Sequence, residues 1–90
     1  MQQAIIIQVD AEDFELWHKT HSSYEEARKE YGITEGPFFR SPEHPNRAQV
    51  HLDVAELDRA MQWFQSDAFK AGVKEAGNVR RDIWIANKKG

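Results

Sequence analysis

Residues 48–54, which read AQVHLDV, constrain the fold more than any other stretch of this chain. The apolar residues occupy every second position: Ala48, Val50, Leu52 and Val54. The polar residues fill the positions between them: Gln49, His51 and Asp53. Successive side chains of a strand point to opposite faces of a sheet, so this alternation predicts a strand with one buried face. The polar face must then meet water, a ligand or a second copy of the chain.

Three further strands and two helical regions are predicted along the chain. Residues 4–9 form a β-branched run, and residues 34–41 and 79–87 complete the set of strands. A helical stripe with spacings of three and four follows the first strand: Phe14, Trp17, His21, Tyr24, Arg28 and Tyr31. A second stripe precedes the last strand: Leu57, Ala60, Met61 and Phe64. The order β-α-β-β-α-β predicts an α+β, ferredoxin-like fold, in which helices cover one face of a four-stranded antiparallel sheet.

The first helical region has start, break and stop signals. Asp10 and Asp13 suit its start, where carboxylates meet free backbone N–H groups. Ser22 or Ser23 is predicted to cap a second segment, which gives one kinked helix or two short ones. Gly32 is predicted to end the region.

The second helical region has similar signals. Asp53 with Glu56 resembles a capping box, so we predict that Asp53 caps the helix rather than acts as an acid. Ser66 is predicted to restart a short helix, and Gly77 to end it. Trp63 lies beside the apolar stripe and is therefore predicted to be partly exposed.

Composition excludes several classes of protein. Ninety residues, of which 40% are hydrophobic and 30% charged, predict one globular domain over residues 1–90. The net charge of -3 argues against nucleic acid as a partner. The absence of cysteine excludes disulfides and thiolate metal sites. No apolar run is long enough to predict a membrane span, and the N-terminus MQQAIIIQVD does not resemble a signal peptide, so a cytoplasmic protein is expected.

Two longer stretches resemble a known family. FFRSPEHPN, followed by LDRAMQWFQSDAFKAGVKEAG, is similar to motifs of small proteins, often labelled "cyclase", in the dimeric α/β-barrel superfamily, alongside antibiotic-biosynthesis-monooxygenase-like domains. The matching positions are Arg40, Ser41, Pro45, Asn46, Leu57, Arg59, Ala60, Ser66, Ala76 and Gly77. Upstream, Asp13, Phe14 and Trp17 resemble the opening of the first helix in these proteins.

This resemblance implies an assembly and a place for a ligand. In the superfamily, two sheets pack face to face as the barrel of a homodimer, and known pockets lie between the sheet and the helices of each subunit. Its members include cofactor-free oxygenases, heme-degrading enzymes and lactone isomerases, so the fold alone does not select the chemistry. We find no match here to the asparagine, tryptophan and histidine set of the heme-degrading branch, so no cofactor is expected.

Three residues are candidates for catalysis. His21 lies within an apolar stripe that should face the sheet, and with Tyr24 it forms a candidate acid/base pair. If the helix breaks at Ser22, His21 sits instead at an exposed kink. His51 should point at the partner sheet, where it lines the dimer interface or acts as a general base. His18 and His21 are three residues apart, but no third ligand is evident, so no metal is expected.

Four residues are candidates for substrate binding. Trp17, Phe38 and Trp63 are possible aromatic walls of a pocket, although aromatic residues at such positions more often serve packing. Arg40 either binds an anionic ligand or pairs with a carboxylate such as Glu43 or Asp53. Trp84, on the last predicted strand, belongs either to the core or to the dimer interface.

The sequence leaves two functions open. The first is a homodimeric enzyme without a cofactor, which acts on a small aromatic or polyketide-like molecule by proton transfer, cyclisation or oxygenation. The second is a non-catalytic dimer that binds a small molecule or serves as a stress or accessory protein. A cavity where His21 and Tyr24 converge would favour the enzyme, and a dry, fully packed space would favour the second function.

Overall fold

The computed structural model describes residues 2–88, which form one sheet with helices in two of its connections. The elements in chain order are β1 (Gln3–Ala11), α1 (Phe14–Ser23), α2 (Glu25–Glu30), β2 (Ile33–Arg40), β3 (Arg47–Val54), α3 (Leu57–Trp63), α4 (Asp67–Glu75) and β4 (Val79–Asn87). The strand order is β2-β3-β1-β4, and all neighbours are antiparallel. The predicted ferredoxin-like fold is therefore confirmed.

The two faces of the sheet differ in what covers them. Alternate residues of β1 and β3 are buried beneath the helices: Ile5, Ile7, Val9, Ala48, Val50, Leu52 and Val54. The other face carries the polar row of β3, and there Ile6 lies opposite both His51 and Trp84. The alternation predicted for residues 48–54 is confirmed, because every second residue of β3 is buried. We call the surface of the sheet that carries Ile6, Gln49, His51, Asp53 and Trp84 the open face.

Two of the predicted helix caps are confirmed. The Asp13 carboxylate accepts a hydrogen bond from the backbone N–H of Leu16 at 3.1 Å, and it caps α1. The Ser66 hydroxyl accepts one from the N–H of Phe69 at 3.1 Å, and it caps α4. Gly32 has a φ of +73°, a left-handed conformation that favours glycine and ends the first helical region.

Three other capping predictions are wrong. Neither Ser22 nor Ser23 caps α2, because Tyr24 is the residue that precedes the helix, and it makes no side-chain cap bond. Asp10 is part of β1, and its carboxylate accepts a hydrogen bond at 2.6 Å from Arg47 on the neighbouring strand.

The third of these errors concerns Asp53. It lies within β3 rather than at the start of α3, and its carboxylate is 2.5 Å from the Nζ atom of Lys88. The residue that precedes α3 is Glu56, whose side chain makes no cap bond. Asp53 is paired in the sheet and precedes the last residue of β3, so an ion pair with Lys88, just after β4, replaces the expected capping hydrogen bond.

Trp63 is buried rather than partly exposed, which corrects the prediction. It is the last residue of α3, and its ring lies 5.6 Å from that of Tyr31, 6.0 Å from that of Phe69 and 6.2 Å from that of Tyr24. The face of α3 that meets the core is therefore centred on Ala60 and Trp63.

None of the helices in residues 2–88 has the length and apolar character needed to cross a bilayer.

Candidate functional site

A cavity of about 60 Å³ lies between the helices and the buried face of the sheet. Its walls come from all the helices and from three strands: Ile7, Val9, Trp17, Thr20, His21, Tyr24, Arg28, Val50, Leu52, Trp63, Phe64, Phe69, Gly72, Val73, Ala76 and Arg81. This volume holds several water molecules but is smaller than the roughly 150 Å³ of an engineered cavity that binds benzene. A ligand with one aromatic ring would therefore fill it and extend into its mouth.

The walls are mostly apolar and carry cationic but no acidic side chains. Arg28 and Arg81 are the charged residues among the lining, and His21 is its only imidazole. The lining residues in the described part of the chain include no aspartate or glutamate. Few polar groups on an apolar wall are the usual composition of a small-molecule site.

His21, Arg28 and Glu35 meet at one side of the cavity. Arg28 is 4% exposed, and its guanidinium donates to one carboxylate oxygen of Glu35 through Nη2 and also through Nε at 3.0 Å. The Nε2 atom of His21 lies 3.5 Å from the same oxygen and 3.4 Å from Nη2 of Arg28. Among residues 2–88, Nδ1 of His21 has no hydrogen-bond partner. The imidazole is therefore held at one nitrogen and available at the other.

The environment keeps Glu35 ionised. Partial burial acts to raise the pKa of this carboxyl, but hydrogen bonds from His21 and Arg28, together with their charges, outweigh it and lower the pKa to about 2. At neutral pH the charge of Glu35 balances that of Arg28. The ring of Trp17 stacks on His21 with centroids 5.2 Å apart, which fixes the plane of the imidazole.

Tyr24 contributes its ring to the cavity, but its hydroxyl points elsewhere. That hydroxyl donates a hydrogen bond at 2.9 Å to Glu75 on α4. The hydrogen bond, followed by desolvation and the charge of Glu75, raises the pKa of the tyrosine. Tyr24 and His21 line the same cavity. Nevertheless, the hydroxyl proton of Tyr24 is donated to Glu75, which does not line the cavity.

Arg81 reaches the cavity from the opposite side, on edge strand β4. It is half-buried, and desolvation lowers the pKa of its guanidinium. Within residues 2–88 its guanidinium makes one hydrogen bond, in which Nη1 donates to the backbone oxygen of Val79 at 3.4 Å. No carboxylate of residues 2–88 lies within ion-pair distance of it.

The predicted aromatic walls have different positions. Trp17 and Trp63 are buried and line the cavity. Phe38 lies outside the lining; it is 41% exposed, and its ring stacks on Trp17 with centroids 6.1 Å apart. Trp17 and Trp63 thus form part of the cavity wall, and Phe38 packs against Trp17 outside the cavity.

Arg40 does not line the cavity; it lies near a carboxylate, as one of the two predictions had it, but not near either of the two carboxylates named there. Its guanidinium lies 3.8 Å from the ring centre of Phe14, and Nε donates to the backbone oxygen of Pro45 at 2.9 Å. The nearby carboxylate is that of Glu15, 3.9 Å away, rather than Glu43 or Asp53. The Arg40 side chain therefore joins Phe14 on α1 to the loop that follows β2.

His51 lies on the open face, on the other side of the sheet from His21 and Tyr24. One ring nitrogen, Nε2, is 2.8 Å from the side-chain oxygen of Gln49, and the imidazole meets the ring of Phe39 edge-on at 5.4 Å. Phe39 is 54% exposed and Trp84 44% exposed on this face. Among residues 2–88, no three histidine or acidic side chains cluster as a metal site.

Solved structures with a similar fold extend over nearly the whole chain. A candidate antibiotic biosynthesis monooxygenase from Bordetella bronchiseptica superposes with a TM-score of 0.78 at 15% identity, covering 99% of both chains. A second, from Nitrosomonas europaea, gives a TM-score of 0.71 at 11% identity over 96% of this chain and 97% of that one. The chain has the fold of the antibiotic-biosynthesis-monooxygenase-like proteins. This confirms, at the level of fold, the resemblance that the sequence motifs indicate.

The same fold occurs in a protein described as a dimeric ferredoxin-like protein. This protein, from an uncultured marine organism, has a TM-score of 0.57 at 6% identity and covers 99% of this chain and 90% of its own. No protein-family model and no curated protein matches the chain at a significant level.

Within this antibiotic-biosynthesis-monooxygenase-like fold, three charged residues of the site were missed by reasoning from the sequence. Arg28 belongs to the predicted apolar stripe, and a charged residue on such a stripe requires a partner. That requirement was the available signal for Glu35, seven residues further along the chain. Arg81 stands next to Arg80, and the alternation of β4 is too weak to show which of the two faces the helices.

Proposed function

We propose that the protein is a homodimeric, cofactor-independent enzyme that moves a proton on a small aromatic or polyketide-like molecule bound in the cavity. The observation that carries this proposal is His21: an imidazole on an apolar wall, with Nε2 placed 3.5 Å from the Glu35 carboxylate as a donor would be, and with no partner for Nδ1 among residues 2–88. Imidazole is the side chain best suited to take up and release a proton near neutral pH.

The proposed reaction needs no redox partner. His21 takes a proton from an acidic C–H or O–H group of the ligand, and the electron pair of that bond remains on the ligand as an enolate or phenolate. Return of the proton to a different atom completes an isomerisation or starts a ring closure. The carboxylate of Glu35 stabilises the imidazolium that forms in the first step.

The homodimer is proposed from the open face. Phe39 and Trp84 are large aromatic side chains exposed on the same surface as Ile6 and His51. A self-complementary contact between two such faces would bury them. The marine ferredoxin-like protein is described as dimeric, which supports an assembly of two chains.

Base-catalysed opening of nitrobenzisoxazole tests the proposed chemistry. A base removes the ring C–H proton, its electron pair forms a nitrile, the N–O bond breaks, and a coloured phenolate is released. We expect the protein to accelerate this reaction and the His21→Gln variant to lose the acceleration by about tenfold or more. His44→Gln, in an exposed loop, and His51→Gln, on the open face, are matched controls that should retain it. Equal rates for His21→Gln and wild type would refute the role of His21.

A second function, binding without turnover, is favoured by one observation. The hydroxyl of Tyr24 is engaged by Glu75, so the cavity offers one imidazole and no accompanying acid. If the protein binds small aromatic molecules but gives no acceleration with nitrobenzisoxazole, this second function replaces the first.

A further inference from the structure

We infer that the ligand of the cavity is an anion, an aromatic carboxylate whose carboxyl group pairs with Arg81 and whose ring lies between Trp17 and Trp63. This inference rests on the proposed small-molecule site and names the chemical class of its ligand.

The charges around the cavity do not cancel. Among residues 2–88, two guanidinium groups line it and no carboxylate does. Arg28 is compensated from behind by Glu35, outside the lining. Arg81 has no such partner within residues 2–88, so its charge remains for a ligand. A neutral ligand placed against Arg81 would remove water from a charge without replacing it, which is costly.

Most N–H groups of the Arg81 guanidinium make no hydrogen bond to residues 2–88. Of its five N–H donors, one makes a long bond of 3.4 Å to Val79, and no side-chain nitrogen or oxygen of residues 2–88 is both buried and without a partner. The remaining N–H groups therefore reach solvent. A planar carboxylate can accept two parallel N–H bonds from such a fork, in a partly dehydrated place where charged hydrogen bonds are strong.

An apolar surface continues from the cavity beside Arg81. Two residues further along β4, Ile83 is 43% exposed on the helix side of the sheet, and it pairs with Ile7, which lines the cavity. This isoleucine would cover the part of a ring that the small cavity leaves outside. The carboxylate at Arg81 and the ring against Trp17 and Trp63 thus fit a flat molecule with one charged end.

Benzoate and benzamide are the probes that test this inference, because they have almost the same shape and only benzoate is charged at neutral pH. The indole N–H signals of a ¹⁵N-labelled protein report binding: Trp17 and Trp63 line the cavity, and Trp84 lies on the open face as an internal control. We expect benzoate to shift the first two signals and to bind about tenfold or more tightly than benzamide.

Arg81→Gln should remove this preference, lowering benzoate affinity by about tenfold and leaving benzamide unchanged. Arg80→Gln is the matched control, because it makes the same change in charge on the other face of the same strand. Equal binding of the two probes to the wild type, or benzoate affinity untouched by Arg81→Gln, would overturn the anion subsite while the cavity stands as a site for small molecules. If neither probe shifts the Trp17 and Trp63 signals, the proposed small-molecule site itself is wrong.

Discussion

Arg28 and Glu35 join the first helical region to the second strand through one carboxylate oxygen, which accepts two N–H groups of the guanidinium. Arg28 is buried in α2 and Glu35 lies near the start of β2, so the pair spans the turn at Gly32. His21 approaches the same oxygen from α1. One carboxylate therefore links three elements and forms the base of the candidate site.

This linkage predicts how stability depends on pH. The pKa of Glu35 is lowered from 4.5 to about 2 in the folded protein. The ionised carboxylate therefore adds to the free energy of unfolding in full above the unfolded-state pKa, and this stabilisation is lost as the pH falls from about 4.5 to about 2. We expect Glu35→Gln to lower the free energy of unfolding at pH 7 by about 1–3 kcal/mol, because it leaves the buried Arg28 charge uncompensated. Urea unfolding followed across this pH range measures the difference.

The difference between wild type and Glu35→Gln should shrink as the pH falls toward 2. Glu43→Gln is the control, because Glu43 is exposed in a loop and makes no ion pair with residues 2–88. A constant difference between Glu35→Gln and wild type at all pH values would show that the Glu35 side chain acts through packing rather than charge.

The strands were predictable from the sequence because their signals are local. The bounds of β4 were predicted as observed, and β3 differs from its prediction by one residue. Alternation reflects the two-residue period of a strand, and β-branched runs reflect the preference of these residues for strands. Neither signal depends on which strand is the neighbour in the sheet. The break in the first helical region was also predicted, although Tyr24 rather than a serine stands at the break.

The errors concern side chains whose partners are distant in sequence. Asp53 was predicted to cap a helix, and it instead contacts Lys88 near the other end of the chain. Trp63 was predicted to be partly exposed, and it is buried among the rings of Tyr24, Tyr31 and Phe69. Neither contact leaves a pattern within a window of a few residues, so propensity and periodicity cannot reveal them.

The open face predicts a variant that dissociates the proposed homodimer. Trp84→Glu places a charge on a surface that would otherwise be buried between two sheets. We expect the wild type to have the mass of two chains by light scattering across concentration, and Trp84→Glu to raise the dissociation constant about thirtyfold or more. Leu16→Glu is the control, because Leu16 is similarly exposed but lies on helix α1. A wild-type monomer, or a Trp84→Glu dimer of unchanged strength, would exclude this interface.

Substitution by alanine is predicted to have a large effect at Gly36 and a small one at Gly72. A Cβ atom at Gly36 would lie 2.8 Å from the backbone oxygen of His51, so Gly36→Ala should force β2 and β3 apart and destabilise the fold by about 1–3 kcal/mol. At Gly72 the nearest atom is 3.2 Å away in the ring of Tyr24, which would have to shift by only a few tenths of an ångström, and alanine favours helix α4 by up to about 1 kcal/mol. Thermal unfolding of both variants should place Gly36→Ala well below wild type and Gly72→Ala near it. Similar losses in the two would contradict the close approach of β2 to β3.

Asp13 and Glu56, which precede α1 and α3, are predicted to contribute differently to the free energy of unfolding. Asp13 accepts a hydrogen bond from the first turn of α1, whereas the side chain of Glu56 makes none at the start of α3. We expect Asp13→Ala to cost about 1 kcal/mol, because a backbone N–H loses its acceptor, and Glu56→Ala to change stability by less than about 0.5 kcal/mol. Urea unfolding of both variants measures the two costs. Because α1 carries Trp17 and His21, Asp13→Ala should also weaken benzoate binding, and Glu56→Ala should not. Equal losses of stability in the two variants would mean that the carboxylate of Asp13 does not stabilise the helix that positions the candidate base.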